Sequence, residues 1–359
     1  MEDLPIWQDF WQQRTWSMYD KLMTGFRIAG DQKPVCFVDY SQTAPLPKRA
    51  LVYKDVLGFW SNPVSTTKTF ADTMDSIVSD IVRRVSLSDR KLAVWYSGGT
   101  DSLCLLSSVL KNSDHQFQQE KLLIRLSQDS IAEYPWFFVN YIDGKLPYKH
   151  SRLIDYFEPG FYNVDGVFGD TVFGEHYVPE LVRNGHISPD VDWLAEPAHR
   201  FKDMLQAVLK GKTQTEWLWS CFEPLCSKYD AQTVFDVFWL QGAAMNLNQL
   251  HWMPFLLDYK VGRLPKERVQ QCFQDQYDFR VFSHVDMFAY AFTHRRSSRS
   301  DIRRARIDSN LYSLEFSGDR DYFDNKPKVS SQIKLYENTP YGRLSAADFR
   351  IEPTIIYRT

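Results

Sequence analysis

The chain has 359 residues, 44% of them hydrophobic and 24% charged, with a formal net charge of −3. That length and profile fit a globular protein with a full core and room for two ordinary domains. A slightly acidic balance argues against a protein that wraps nucleic acid with its whole surface, and leaves only a local basic patch for such a role.

The acidic, aromatic start, MEDLPIWQDFWQQR, has no basic region ahead of an apolar core, so no secretory signal is expected. Residues 35–38 and 50–53 are short β-like runs on either side of the Pro-rich stretch 44–48. Residues 70–87 place Met74, Ile77, Ile81, Val82 and Val85 at helical spacing. The apolar run 92–96 reads as a short buried strand, and Leu103, Leu105, Leu106, Val109 and Leu110 then repeat as in a helix. A second strand is predicted over 121–126, ending at Ser127. Residues 134–142 suit either a helix entered through Pro135 or a short strand. Residues 161–169 lead into a second Gly-Asp turn, Gly169-Asp170, and helical patterns dominate from about 190, over 193–209, 216–227, 231–252 and 281–293. The tail from Ser309 is rich in Asp, Asn, Tyr and Pro and reads as irregular.

The apolar stretch 234–257 is interrupted by Asp236, Gln241, Asn246 and Asn248, which suits a buried helix better than a membrane span. Cys36, Cys104, Cys221, Cys226 and Cys272 form no CxxC pair, and the gap between Cys221 and Cys226 does not suit a zinc knuckle. Free thiols in a reducing cytosol are the simplest account, so a cytoplasmic location is expected. Strands alternating with helices in the middle of the chain predict an α/β fold with a doubly wound parallel sheet, whose ligand sits outside the carboxyl ends of the strands.

The most informative segment lies at that edge. Ser97-Gly98-Gly99-Thr100-Asp101-Ser102 follows the 92–96 strand and opens the next helix. A strand that turns through two glycines into a helix presents unpaired first-turn N–H groups at the positive end of the helix dipole, where phosphate binds. Glycine lets the backbone approach the ligand with no Cβ between them. Ser97 and Ser102 add hydroxyls, and Asp101 can hold a magnesium ion or cap the helix. A bare βα turn uses the same residue types. The Walker pattern is absent, because no Lys follows the glycines.

The string SGGTDS resembles the SGGxDS signature of the N-type ATP pyrophosphatases, the PP-loop superfamily. A second segment, Gly166-Val-Phe-Gly169-Asp170-Thr-Val-Phe173-Gly174-Glu-His-Tyr177, resembles a shortened form of an asparagine synthetase stretch, without that family's inner Asp-Glu pair. Pro254-Phe-Leu-Leu-Asp258 is faintly similar to another segment of that family, and no role is carried onto it. The resemblance implies an adenine nucleotide alpha hydrolase-like sheet with a helical C-terminal region. It divides the chain into an N-terminal α+β module (1–90), an ATP-binding core (91–190) and a mainly helical region completing the cleft (191–359).

The resemblance further implies an AMP-forming ligase that adenylates a carboxylate or amide-type oxygen and forms an amide or C–N bond. Ser97, Gly98, Gly99, Thr100, Asp101, Ser102, Ser127 and Gly169 would bind ATP. Asp101 and Asp170 would be the catalytic carboxylates and would jointly hold Mg2+, which needs few protein carboxylates when phosphates supply the rest. The start Met1-Glu2-Asp3 lacks the N-terminal cysteine of the glutamine-using synthetases. The expected nitrogen source is therefore free ammonia or an amine, acting on a small-molecule substrate, with no membrane partner. Two alternatives stand beside this reading. One is a nucleic-acid- or nucleobase-modifying PP-loop enzyme that docks through Arg295, Arg296, Arg299, Arg303, Arg304 and Arg306, since Arg favours bidentate phosphate contacts. The other is a non-catalytic ATP-binding relative. The Arg cluster also reads as a clamp on ATP phosphates, or simply as a solvated helix face.

Overall fold

A computed structural model of the chain describes residues 66–151, 158–167, 169–173, 195–203, 216, 219, 223, 226–237, 239–240, 279–294 and 304–325, with the backbone of 36–38 and 51–53. The chain divides into two compact units, one comprising Met1–Thr66, Asp170–His251 and Ala291–Ala305, the other Thr67–Gly169, Trp252–Tyr290 and Arg306–Thr359.

The second unit is built on a four-stranded, wholly parallel sheet. Its strands are β3 (Lys91–Trp95), β4 (Leu122–Leu126), β5 (Tyr148–His150) and β6 (Phe161–Asp165), in spatial order β5-β4-β3-β6. The chain steps from β3 through β4 to β5 in one direction and returns with β6 on the far side of β3, so the strand order reverses between β3 and β6. In open α/β sheets this reversal opens a crevice at the carboxyl ends of the strands. The α/β class with a parallel sheet and flanking helices is thus as expected, with β3 and β4 each starting or ending one residue from the predicted bounds.

Each connecting helix follows from its local sequence. Helix α1 (Phe70–Ser86) is opened by a reciprocal cap, in which the Asp72 N–H donates to Thr69 Oγ1 (3.1 Å) and the Thr69 N–H to the Asp72 carboxylate (3.2 Å). Its Met74, Ile77, Val78, Ile81, Val82 and Val85 face is buried. Helix α2 (Thr100–Lys111) buries Leu103, Cys104, Leu105, Leu106, Ser107, Ser108 and Val109, so it is enclosed nearly all round. Between α2 and β4 lies α3 (His115–Glu120), capped by Asp114. After β4 come α4 (Gln128–Glu133) and α5 (Pro135–Phe137), the latter running on into a π-helical turn, Phe138–Ile142. The ambiguity over 134–142 is therefore settled as helix, with Pro135 in the first turn where its missing N–H costs nothing.

The C-terminal part departs from expectation. The tail read as irregular contains α8 (Arg304–Ser317) and α9 (Arg320–Asn325), following α6 (Gly169–Val172) and α7 (Val285–Thr293) in chain order. The buried positions of α8 are Arg306, Ser309, Tyr312, Ser313 and Ser317. They recur at helical spacing, but the stripe consists of serine, tyrosine and arginine, so a search for aliphatic periodicity passes over it. Gly318, at φ +73°, ends α8 with its N–H on the Leu314 carbonyl (2.7 Å), and Asp319 caps α9 by accepting the Tyr322 N–H (3.3 Å). Helix α7 begins at Val285 rather than 281, because His284 Nδ1 accepts the Asp286 N–H (3.2 Å) and serves as its cap.

In the first unit, the two runs read as β-like are strands β1 (Cys36–Val38) and β2 (Leu51–Tyr53), which pair in parallel with Cys36 opposite Leu51. The predicted 193–209 helix starts at His199, since Pro197 is held in an antiparallel bridge with Thr233. Thr233 and Asp236 form a second reciprocal cap, the Asp236 N–H on Thr233 Oγ1 (3.0 Å) and the Thr233 N–H on the Asp236 carboxylate (3.1 Å). The helix that follows sets Trp239, whose indole N–H donates to the Val172 carbonyl (2.6 Å). Among the described residues, no helix is long and apolar enough to cross a membrane. Cys104 and Cys226 are free and buried, and burial pushes both thiols up to about 12, so neither is a ready nucleophile.

Candidate functional site

The segment 97–102 occupies the turn from β3 into α2, beside the point where the strand order reverses. Gly99 is the N-cap of α2 and has no side chain to offer the first-turn N–H groups. The loop is fixed from within by its two serines. Ser102 Oγ accepts the Ser97 N–H (3.1 Å) and reaches the Gly99 carbonyl (3.0 Å), while the two serine hydroxyls lie 2.9 Å apart. Gly98 sits at φ +77°, and a Cβ there would fall 2.5 Å from the Ser130 carbonyl oxygen and 2.6 Å from Glu133 Cβ. Helix α4 therefore packs directly on the loop, with only glycine able to stand between them.

Asp101 occupies the first turn of α2, and its carboxylate is gripped by Arg306 of α8. One guanidinium nitrogen donates to Oδ1 and to Thr100 Oγ1 (3.1 Å), and the other lies 3.3 Å from Oδ2. Both side chains are largely buried, at 8% and 14% exposure for Arg306 and Asp101. Two glycines from the segment after β6 back the carboxylate. A Cβ on Gly166 would lie 2.7 Å from the Ser102 nitrogen, and one on Gly169 would fall inside the Asp101 carboxyl group. The two glycine-bearing segments singled out in the sequence thus meet at Asp101.

Ser127 caps α4 one strand away, accepting the Ser130 N–H (3.2 Å), with the two hydroxyls 3.0 Å apart. Asp170 belongs to the backbone of α6, and its side chain lies outside the described residues, as do Arg295, Arg296, Arg299, Arg303 and the side chain of Arg304. The segment Pro254 to Asp258 lies outside them as well. Among the described residues, no three His, Cys, Asp or Glu gather as a metal cage. Asp101 is a carboxylate at the loop that suits Mg2+, whose other ligands would be phosphate oxygens and water.

Sequence reading missed an aromatic brace over the loop. The Tyr322 hydroxyl donates to the Gly98 carbonyl (2.6 Å), and its ring stacks on Tyr134 at 3.5 Å between centroids. The Tyr134 hydroxyl donates to Asp319 (2.9 Å). Tyr96, next to Ser97, is buried and stacks on Phe137. Burial drives the hydroxyls of Tyr96 and Tyr322 well above the ordinary tyrosine range, so both stay neutral, and Tyr322 keeps the proton it donates to the Gly98 carbonyl. Behind the site, Tyr312 and Lys111 both donate to Asp75, the latter at 2.7 Å. Burial raises the Asp75 carboxyl, but the hydrogen bonds from Lys111, Tyr312 and Asn112 outweigh it and hold the group below its usual value. The available signal for the brace was Gly318-Asp319, a helix stop followed directly by a helix cap.

Comparison with known proteins returned no matching family model, no matching curated protein and no matching solved structure.

Proposed function

We propose that the protein is an AMP-forming, ATP-dependent ligase of the PP-loop kind, with the phosphates of ATP bound at 97–102. One observation carries the reading. The SGGTDS turn stands between a parallel strand and the helix it opens, beside the reversal of strand order, with Gly98 in a left-handed conformation packed against α4. A substrate oxygen of carboxylate or amide type attacks the α-phosphorus, and the bond to the bridging oxygen breaks. Pyrophosphate departs, and ammonia or an amine then displaces AMP, losing a proton. The α2 N-terminus and Arg306 would offset the charge that develops on pyrophosphate. Asp101 and Asp170 would hold Mg2+, which supplies further charge neutralisation. Ser127 would lie on the adenosine side, at the end of the neighbouring strand, within a doubly wound, adenine nucleotide alpha hydrolase-like fold.

Arg306 turns from the Arg cluster onto the loop, which favours a phosphate-facing role for that residue over nucleic-acid docking. The same ion pair keeps a second reading open, that of an ATP-binding relative without turnover. Calorimetric titration with ATP and magnesium separates these from a plain βα turn. Ser97→Ala should weaken binding about tenfold or more, the loss of one hydrogen bond to a charged group. Binding unchanged in Ser97→Ala, or no binding by the wild type, would sink the nucleotide reading.

A further inference from the structure

We propose that Arg306 and Mg2+ compete for Asp101, so that the ion pair is the resting state of the loop and is exchanged when magnesium nucleotide arrives. The inference rests on the nucleotide reading of the loop and concerns how that loop is kept and released. Arg306 stands over the first turn of α2, touching Thr100 and Asp101 together. A cation at the positive end of a helix is in an unfavourable place, and here it is also nearly out of water. Asp101 offsets both penalties. A phosphate would offset them better, since its oxygens can accept from the guanidinium and from the helix N–H groups at once.

The geometry also says which partner moves. Asp101 is backed by Gly166 and Gly169 so closely that its carboxyl cannot retreat toward them. Arg306 has a long side chain whose head can swing while its helix stays fixed. Magnesium would therefore take the carboxylate in place, and the displaced guanidinium would turn to the phosphate oxygens. The charge balance is kept: one cation leaves the carboxylate as another arrives, and Arg306 gains an anion.

The test uses the full chain with two separate probes, Mg2+ alone and inorganic pyrophosphate alone, by calorimetry, with melting curves establishing that each variant is folded. Arg306→Ala should bind Mg2+ at least several-fold more tightly than the wild type, because the carboxylate no longer has to be released. It should bind pyrophosphate about tenfold more weakly, having lost its charged contact. Arg306→Lys, which keeps the charge but not the fork, should fall between them on both probes. If the wild type binds magnesium ATP while Arg306→Ala and Arg306→Lys leave both affinities unchanged, the exchange is overturned and the nucleotide reading survives. If the wild type binds neither pyrophosphate nor magnesium ATP, the nucleotide reading itself fails and the exchange falls with it.

Discussion

Gly98→Ala is expected to destabilise the protein by about 3 kcal/mol or more and to remove nucleotide binding at the loop. Two costs add. A left-handed backbone, here at φ +77°, costs an L side chain roughly 1–2 kcal/mol. The new methyl would also meet the Ser130 carbonyl at 2.5 Å, and forcing a side chain into packed space costs about 1–3 kcal/mol. The loop has little room to yield, because the Gly98 carbonyl is tied to the Tyr322 hydroxyl. Gly144 is the internal control. It has φ +66° and nothing within 4 Å of an added Cβ, so its alanine variant should show the backbone cost alone, about 1–2 kcal/mol. Equal losses in the two variants, by urea unfolding, would contradict the close packing of α4 on the loop.

The second large effect belongs to the buried pair. Asp101→Ala and Arg306→Ala should each cost about 3–5 kcal/mol, because each leaves the opposite charge buried without its partner. The double variant should cost much less than the sum, since removing both charges also removes the desolvation penalty. A double-mutant cycle in urea measures the coupling. Additive losses of under about 0.5 kcal/mol each would mean that the two groups are solvated and independent.

Strands β3 and β4 and the turn into α2 were legible because they are written in local signals, whereas β5, only three residues long and largely exposed, and β6 were not read as strands. Leu92, Ala93 and Val94 make a run that suits a strand buried on both faces, and the two glycines after it mark the turn into α2. Helix α1 announces itself through the spacing of Met74, Ile77 and Ile81, and the structure adds the Thr69–Asp72 cap. Three features escaped for a common reason, which is that they depend on partners distant in sequence. Helix α8 buries serines that gain nothing from hydrophobic transfer. Cys104 of α2 lies against Ser309 and Ser313, and such small side chains let two helices approach closely without leaving an aliphatic stripe. Tyr322 is one tyrosine among many until its hydroxyl is seen on the Gly98 carbonyl, more than two hundred residues away in the chain. Arg306 stood out as part of an Arg-rich run, but nothing local distinguished it from its neighbours. Its selection comes from the helical phase that turns it inward with Ser309 and Tyr312.

If the loop serves α–β cleavage of ATP, the products of turnover reveal it. Incubating the protein with ATP, magnesium, an ammonium salt and a panel of amino acids and other small carboxylates, and separating the nucleotides, should yield AMP with pyrophosphate in equal amounts. Asp101→Asn should lose that turnover. ADP with inorganic phosphate as the products would instead assign the site to γ-phosphoryl chemistry and rule out α–β cleavage at the loop.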